Sequence, residues 1–215
     1  MGIKERKERE KRMRRQDIQK AAKILFTEKG YTATTMEDIA EKAELSPATI
    51  YQYFKNKQNL YSSLNVKAFS GLLDETRVIS SNHTLSPEEK IVKFKDAMYK
   101  VFLGDALFLR NILHMQLEGL TDPSIEELLA ELNLMFRNIM AEMVKIYDEG
   151  VQRGIFREGS GIGHADIMWG MFCGIMVLEE AKKTIKPKND FFKTTLDQAF
   201  DIFLRGIKKG ENESP

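Results

Sequence analysis

The chain has 215 residues, 42% hydrophobic and 30% charged, which is the composition of a soluble globular protein of one large or two small domains and excludes a largely disordered chain. No apolar run approaches the ~18–20 residues that span a bilayer, and the charged N-terminus lacks the apolar core of a secretory signal, so we expect no membrane association. The single Cys173 cannot form an internal disulfide, which makes a reducing cytoplasm the simplest expected location.

The charge is unevenly spread. Residues 1–60 hold 14 Lys and Arg against 9 Asp and Glu, a net of +5, whereas the rest of the chain holds 19 against 23, a net of −4. Much of the positive charge lies in residues 4–15, "KERKEREKRMRR", where three Glu→Arg pairs at i,i+4 favour an extension of the first helix. A basic N-terminal quarter on a near-neutral protein indicates a localised anionic partner, although a solvated charged surface has the same composition.

The first predicted helices are short and separated by clear stop and start signals. Apolar residues at helical spacing predict a first helix that ends at Gly30. A second helix follows, and its N-terminus is capped either by Thr35 with Asp38 or by Thr34 with Glu37.

A third helix begins at Ser46, which caps it, with Pro47 at its first position. Ile50 and Phe54 share one face and should be buried, and a longer fourth helix begins near Lys57. Two short helices joined by three or four residues form a helix-turn-helix, whose second helix can enter the major groove of DNA.

The remaining side chains of the third helix suit DNA reading. Tyr51 and Tyr53 lie about 100° and 300° around the helix from Ile50, so at least Tyr51 should face outward, and core packing is the alternative for either ring. Gln52 can form a bidentate pair with adenine, and Thr49 can meet a base edge or a thymine methyl group.

Residues 18–64 resemble the DNA-binding domain of the TetR family of transcriptional regulators. The run "AAKILFTEKGYTATTMEDIAEKAELSPATIYQYFKNKQNLYSSL" contains that family's Gly-Tyr, Thr-Thr, Asp-Ile-Ala and Ser-x-Ala-Thr-Ile-Tyr-x-Tyr-Phe pattern, with Glu44 in place of a frequent glycine. The resemblance implies an all-helical homodimer that binds a palindromic operator and usually represses. It places Gln52 where the family varies, and it implies DNA contacts at Thr35, Ser46, Ala48, Thr49, Tyr51, Tyr53 and Lys57.

The predicted fold is therefore all-α. A basic arm and helix-turn-helix domain occupy residues 1–60, a larger helical effector-binding and dimerisation domain occupies 61–215, and a helix from about 57 to 79 links them. The later helices are predicted near residues 87–104, 105–119, 123–154, 161–186 and 189–209.

The C-terminal two-thirds is rich in Met and aromatic residues, which mostly form a core but also suit a cavity for an apolar or amphipathic effector. Each polar residue among them is individually more typical of a satisfied structural group than of a ligand contact. The candidate effector contacts are Tyr99, Phe102, Asn111, His114, Trp169 and Phe172.

The last two predicted helices carry a possible dimer interface. Gly170 and Gly174 are four residues apart amid apolar residues, and small residues at this spacing allow close approach of helices; packing within one chain is the alternative. The resemblance implies a four-helix dimer interface, for which the candidates are Ile167, Gly170, Met171, Gly174, Leu178, Leu196, Phe200 and Phe203.

Enzyme motifs are not found. The three histidines, His83, His114 and His164, are far apart in the sequence, and Cys173 lies in an apolar helix, so neither a metal, a cofactor nor a nucleophile is expected. Two other classes remain open: a helical protein-interaction module without DNA binding and, less favoured, a small helical enzyme.

Overall fold

The computed structural model describes residues 2–104, 126–185 and 191–210. Apart from an isolated antiparallel bridge between Phe156 and Lys208, every element in these residues is a helix, as the sequence predicts. The helix predicted over 105–119 lies outside the described residues. The helices are α1 (Ile3–Ala33), α2 (Met36–Lys42), α3 (Pro47–Tyr51), α4 (Lys57–Ser80), α5 (Pro87–Gly104), α6 (Glu126–Gln152), α7 (Gly161–Ile185) and α8 (Phe192–Ile207).

The described residues divide into two compact units. Unit 1 comprises residues 2–69 and 126–133, and unit 2 comprises residues 70–104, 134–185 and 191–210. Helix α4 contributes its first half to unit 1 and its second half to unit 2.

The core of unit 1 joins α1, α2, α3 and the start of α4. Phe26 packs edge to face on Tyr61 of α4, with ring centroids 4.9 Å apart. Ile50 and Phe54 are 0% and 1% exposed and belong to this core, which confirms the prediction that they are buried. Full burial of such side chains stabilises a fold by about 1.5–3 kcal/mol each.

Helix α1 begins at Ile3, so the basic run is helical. Its continuous part ends at Gly30, as predicted, because Gly30 takes the non-helical φ 79° and ψ 168°. Beyond this kink one further turn extends to Ala33. The hydroxyl of Thr34 donates to the carbonyl oxygen of Gly30 over 2.7 Å, so Thr34 belongs to the end of α1 and does not cap α2.

In unit 2, α8 packs against both α5 and α7. A buried ion pair closes another side of this unit: Lys90 Nζ, which is fully buried, donates to Ser80 O over 2.9 Å and to Glu149 Oε2 over 2.5 Å. Burial alone would raise the pKa of Glu149, but hydrogen bonds from Lys90 and Arg153 lower it below its usual value. A buried ammonium of this kind requires such partners, since desolvation would otherwise be prohibitive.

Helix α7 is more apolar than the sequence reading allowed. Gly161–Glu179 has a mean hydropathy of 1.4 over 19 residues, so by length and composition alone it passes for a membrane span, and only 33% of it is buried. Asp166 and Glu179 lie within this stretch, and one side of α7 packs on α8. Apolar residues occupy both sides of α7, and among the described residues Ile162, Ile167, Val177 and Leu178 are exposed.

Candidate nucleic-acid interface

The start of α2 is held by a reciprocal capping box. The Asp38 N–H donates to Thr35 Oγ1, and the Thr35 N–H donates to Asp38 Oδ2, both over 3.0 Å. These hydrogen bonds from Thr35, together with Lys29 Nζ at 3.4 Å, lower the pKa of the Asp38 carboxyl group. Of the two caps that the sequence allows, the structure forms the Thr35–Asp38 pair.

The turn between α2 and α3 has a non-glycine residue in a left-handed conformation. Glu44 has φ 55°, its N–H donates to Glu41 O, and the Leu45 N–H donates to Ala40 O. This pair of bonds is the Schellman arrangement, which usually places glycine at the left-handed position. The same arrangement ends α6, where Gly154 takes φ 68°.

Helix α3 starts as predicted. Ser46 Oγ accepts from the Thr49 N–H over 3.2 Å, and Pro47 occupies the first helical position. The Ser46 and Thr49 hydroxyl oxygens are 2.8 Å apart, so both belong to the cap as well as to the exposed side of the turn.

The outer surface of α3 brings together four of the predicted DNA-contacting residues. Ala48 and Gln52 are exposed, Tyr51 is 49% exposed, and Thr49 is half-buried. Tyr53 is half-buried and packs against the core of unit 1. One tyrosine therefore faces outward, whereas the other is partly structural.

Lys57 has a clear structural role. Its ammonium group donates to the carbonyl oxygens of Tyr31 and Thr34 over 2.9 Å each and to that of Thr32 over 3.4 Å, and it lies 4.4 Å from the centroid of the Tyr31 ring. These carbonyls belong to the end of α1, whose dipole favours a cation. Lys57 thereby anchors the start of α4 to the end of α1.

Arg15 is a second anchor, and sequence reasoning missed it. Its Nη1 donates to Tyr53 O over 3.1 Å, and its guanidinium carbon lies 4.3 Å from the centroid of the Phe54 ring. Burial lowers the pKa of Arg15, and the charge of Glu131 opposes this shift. One signal was available: Arg15 precedes Ile18 by three residues and shares its helix face.

Four candidate effector contacts lie in one aromatic cluster of unit 2, centred on Phe192. The Phe192 centroid lies 4.3 Å from that of Phe102, 5.6 Å from Tyr99 and 5.9 Å from Phe172, and Trp169 is 6.2 Å from Phe172. Tyr99 is half-buried and the other rings are buried. The other two candidates, Asn111 and His114, lie outside the described residues.

The candidate dimer residues divide into two groups. Leu196, Phe200 and Phe203 of α8 are at most 7% exposed, because that stripe forms the core of unit 2. On α7, in contrast, Ile167 is 51% exposed and Leu178 is 60% exposed. Between them Gly170 and Gly174 are exposed and Met171 is half-buried.

Chemistry at other side chains is limited. Burial raises the pKa of the half-buried Cys173 thiol to about 11, so it stays protonated at neutral pH. Within the described residues, no group of three or more His, Cys, Asp or Glu is arranged to hold a metal ion.

Comparison with known proteins identifies this architecture. Residues 18–64 match the family "Bacterial regulatory proteins, tetR family". The chain is 28% identical over 196 residues to an uncharacterized HTH-type transcriptional regulator, YvkB of Bacillus subtilis, which covers 87% of this chain and 93% of YvkB. It is 24% identical over 125 residues to IcaR of Staphylococcus aureus, the negative transcriptional regulator of the biofilm operon icaADBC, which covers 58% of this chain and 64% of IcaR.

The fold is likewise that of a solved regulator. The transcriptional regulator FadR from Bacillus subtilis, solved in complex with stearoyl-CoA, superposes with a TM-score of 0.70 at 22% identity over 89% of this chain and 98% of FadR. Proteins of this kind are transcriptional regulators and not enzymes. The helix-turn-helix geometry and these similarities together show that residues 18–64 form a DNA-binding domain of the TetR family of bacterial regulatory proteins, on a chain that is similar to an HTH-type transcriptional regulator over most of its length.

Proposed function

We propose that this regulator is a cytoplasmic repressor that binds a palindromic operator as a homodimer and is released by a small apolar or amphipathic effector. The observation that carries the DNA-binding part is the outer surface of α3, where the exposed Ala48, Tyr51 and Gln52 and the half-buried Thr49 lie beside a packed apolar core. The negative regulator IcaR supports repression as the outcome.

The side chains on and around α3 divide the work of recognition. Gln52 reads a base edge, and Thr49 meets an adjacent edge or a thymine methyl group. Small Ala48 lets the helix approach the groove closely. Tyr51 and the capping residues Thr35 and Ser46 bind phosphates, as do the N–H groups in the first turns of α2 and α4. Tyr53 and Lys57 mainly position the helices that make these contacts.

Substitution of Gln52 tests this division. On an operator recovered by selection, Gln52→Ala should cost ~1–3 kcal/mol in binding and relax the preference at one base pair in each half-site. Gln16→Ala, which removes an exposed amide from α1, is the matched control and should leave the preference intact. An equal loss of affinity for operators with any base pair at that position would show that Gln52 contacts the DNA backbone and not a base.

The homodimer uses the exposed apolar side of α7. An added Cβ at Gly170 or Gly174 meets no atom within 4 Å, so packing within one chain does not require glycine there. Glycines between Ile167 and Leu178 suit close approach to a second copy of the helix. The buried α8 stripe supports this surface from beneath and does not contact the partner.

Charge placed on this surface tests the dimer. Ile167→Asp and Leu178→Asp replace exposed side chains, so the fold should survive while sedimentation at micromolar concentration shifts from dimer to monomer. Val78→Asp is the matched control, because Val78 is 67% exposed but lies on α4. A dimer that survives both α7 substitutions would contradict the assignment.

The effector site involves the aromatic cluster around Phe192. Its rings provide apolar contact surface, and Tyr99 and Trp169 add polar atoms that can orient a head group. Asn111 and His114 remain contacts predicted from the sequence alone, outside the described residues. The stearoyl-CoA bound to FadR supports an amphipathic effector. Helix α4, which has residues in both units, is the proposed two-state element.

Calorimetry tests the effector coupling. With stearoyl-CoA as the first probe and shorter acyl-CoA thioesters as comparison, a coupling of about 1–3 kcal/mol would lower operator affinity ~5- to 150-fold, and operator DNA must weaken the ligand by the same factor. Equal dissociation constants with and without operator would exclude a bound probe as an inducer. A helical interaction module without DNA function would show no salt-dependent DNA binding at all.

A further inference from the structure

The N-terminal part of α1 is a helix without a protein surface beneath it. The helix begins at Ile3, residues 4–14 are all exposed, and the first buried side chain is Ile18. Residues 4–14 extend over about 15 Å of helix axis. Every face of this helical arm is therefore accessible to solvent or to a binding partner.

The charges on this arm are sorted by face. At 100° per residue, the buried α1 residues Ala21, Leu25, Ala22 and Phe26 lie between −60° and 80° of Ile18, by an approximate helical-wheel estimate. On the same scale, roughly the arc from −40° to 60° holds a cationic stripe and no carboxylate. We define this stripe as Lys4, Lys7, Lys11, Arg14 and Arg15.

The face that is apolar where α1 crosses the core thus becomes cationic where α1 leaves it. The opposite face holds Arg6, Arg9 and Arg12, and there Arg6 is neutralised by Glu10 over 2.9 Å. In the described part of the chain, Lys4, Lys7 and Lys11 have no carboxylate within ion-pair distance. Arg9 and Arg12 on the opposite face also lack an ion pair among the described residues, so what distinguishes the stripe is its alignment with the face that α1 buries in unit 1.

The stripe leads directly to the DNA-reading element. Its last member, Arg15, is hydrogen-bonded to Tyr53 O and lies over the Phe54 ring, at the end of α3. Glu131 is the acidic group that faces Arg15. Lys11 and Arg14 lie within about one turn of Arg15 toward the N-terminus, and both are exposed.

We propose that the cationic stripe of α1 is a second DNA-binding surface, which lies along the phosphate backbone flanking each half-site. Lysines bind phosphates as point charges and read no sequence, so the stripe adds affinity for every duplex. At 3.4 Å per base pair, about 15 Å of helix covers four to five base pairs. This inference rests on the proposed operator binding and adds a contact outside the helix-turn-helix.

Two variants with equal charge loss test the proposal. The stripe variant carries Lys4, Lys7 and Lys11→Gln, and the matched control carries Arg6, Arg9 and Arg12→Gln on the opposite face. Each removes three positive charges, and Gln is a good helix former. Because the control also removes the i,i+4 partners of Glu5 and Glu8 and the Arg6–Glu10 ion pair, affinities are compared under conditions in which circular dichroism shows equal helicity for the two variants. Affinity is measured by anisotropy over 50–200 mM salt on a 40-base-pair duplex that carries the selected operator.

If three phosphate contacts are lost, the plot of the logarithm of the DNA association constant against the logarithm of salt concentration should become less steep in the stripe variant, by about 2.7 per protomer. The affinity ratio between 50 and 200 mM salt should then change by about 40-fold per protomer. The control should lose less than a third of that slope. A duplex trimmed to the outer edges of the half-sites should bind wild-type protein and stripe variant alike.

Equal slopes for the two variants would overturn the proposal, because they would indicate a diffuse charge effect or none. Binding of the arm to anionic phosphatidylglycerol vesicles without any change in the DNA slope would also overturn it. Failure of the proposed function is distinct: wild-type protein would then not prefer the operator duplex to one of random sequence.

Discussion

Lys57 offers a direct choice between two roles, phosphate contact and internal anchor. Lys57→Met removes the charge and keeps most of the side-chain volume. In the structure the ammonium group makes two hydrogen bonds of 2.9 Å to α1 carbonyls and lies 4.4 Å from the Tyr31 ring. Hydrogen bonds to charged groups contribute about 1.5–3 kcal/mol each, and an exposed cation–π contact contributes about 0.5–1 kcal/mol.

We take the lower ends of these ranges for the expected loss in the free energy of unfolding of Lys57→Met. The carbonyls are only partly buried, so water can replace the ammonium group in the variant, and the sum is about 3.5 kcal/mol. Urea unfolding of wild-type, Lys57→Met and Lys57→Arg protein should show that loss for Met and a smaller one for Arg. The salt slope of DNA binding by folded Lys57→Met should change by less than about 0.9 per protomer. Unchanged stability with a slope lowered by about 0.9 would refute the anchor and restore the phosphate contact.

The other predictions concern local stability and thiol reactivity. Glu44→Gly should stabilise the protein by about 0.5–1 kcal/mol in urea unfolding, because glycine relieves the left-handed strain at φ 55°; a loss of stability would contradict this. Gly71→Ala should add about 1 kcal/mol, since a Cβ there meets no atom within 4 Å in mid-helix, and an unchanged midpoint would count against it. The lowered pKa of Asp38 contributes stability that is present above its unfolded pKa and is lost as pH falls through the folded value, so Asp38→Asn should flatten the acid pH dependence of unfolding; parallel pH profiles would exclude the link. Thr35→Ala, which removes only the side-chain cap, should cost about 1 kcal/mol in urea unfolding, and an unchanged midpoint would contradict the cap. Cys173, with a pKa of about 11, should react with Ellman's reagent at neutral pH about 100-fold more slowly than a free thiol, and reaction at the free-thiol rate would contradict its burial.

Local chemistry made the short helices predictable. Ser46 with Pro47 specifies the start of α3 within four residues, and Thr35 with Asp38 does the same for α2. The sequence left one ambiguity, Thr34 or Thr35 as the cap. The structure resolves this ambiguity, because the Thr34 hydroxyl donates to Gly30 O at the end of α1 and is therefore not available to cap α2.

The long-range contacts were not predictable in this way. The Arg15 bond to Tyr53 joins residues 38 apart, and the Lys57 bond to Tyr31 joins residues 26 apart, so no local pattern specifies either. The apolar stripe of α8 was predictable as buried, but periodicity cannot state what buries it. The structure places Phe200 in the core of its own chain.

Selection of bound sequences from a pool of random duplexes tests the central claim most directly. The account predicts a two-fold symmetric consensus whose half-sites are centred about 34–36 Å, or a multiple of this, apart, as a dimer of α3 helices requires. A protein with Thr49 and Gln52 both changed to Ala, selected in parallel, should lose that consensus while retaining salt-dependent binding. A wild-type pool without enriched sequence, or the same consensus from both proteins, would contradict DNA reading by α3.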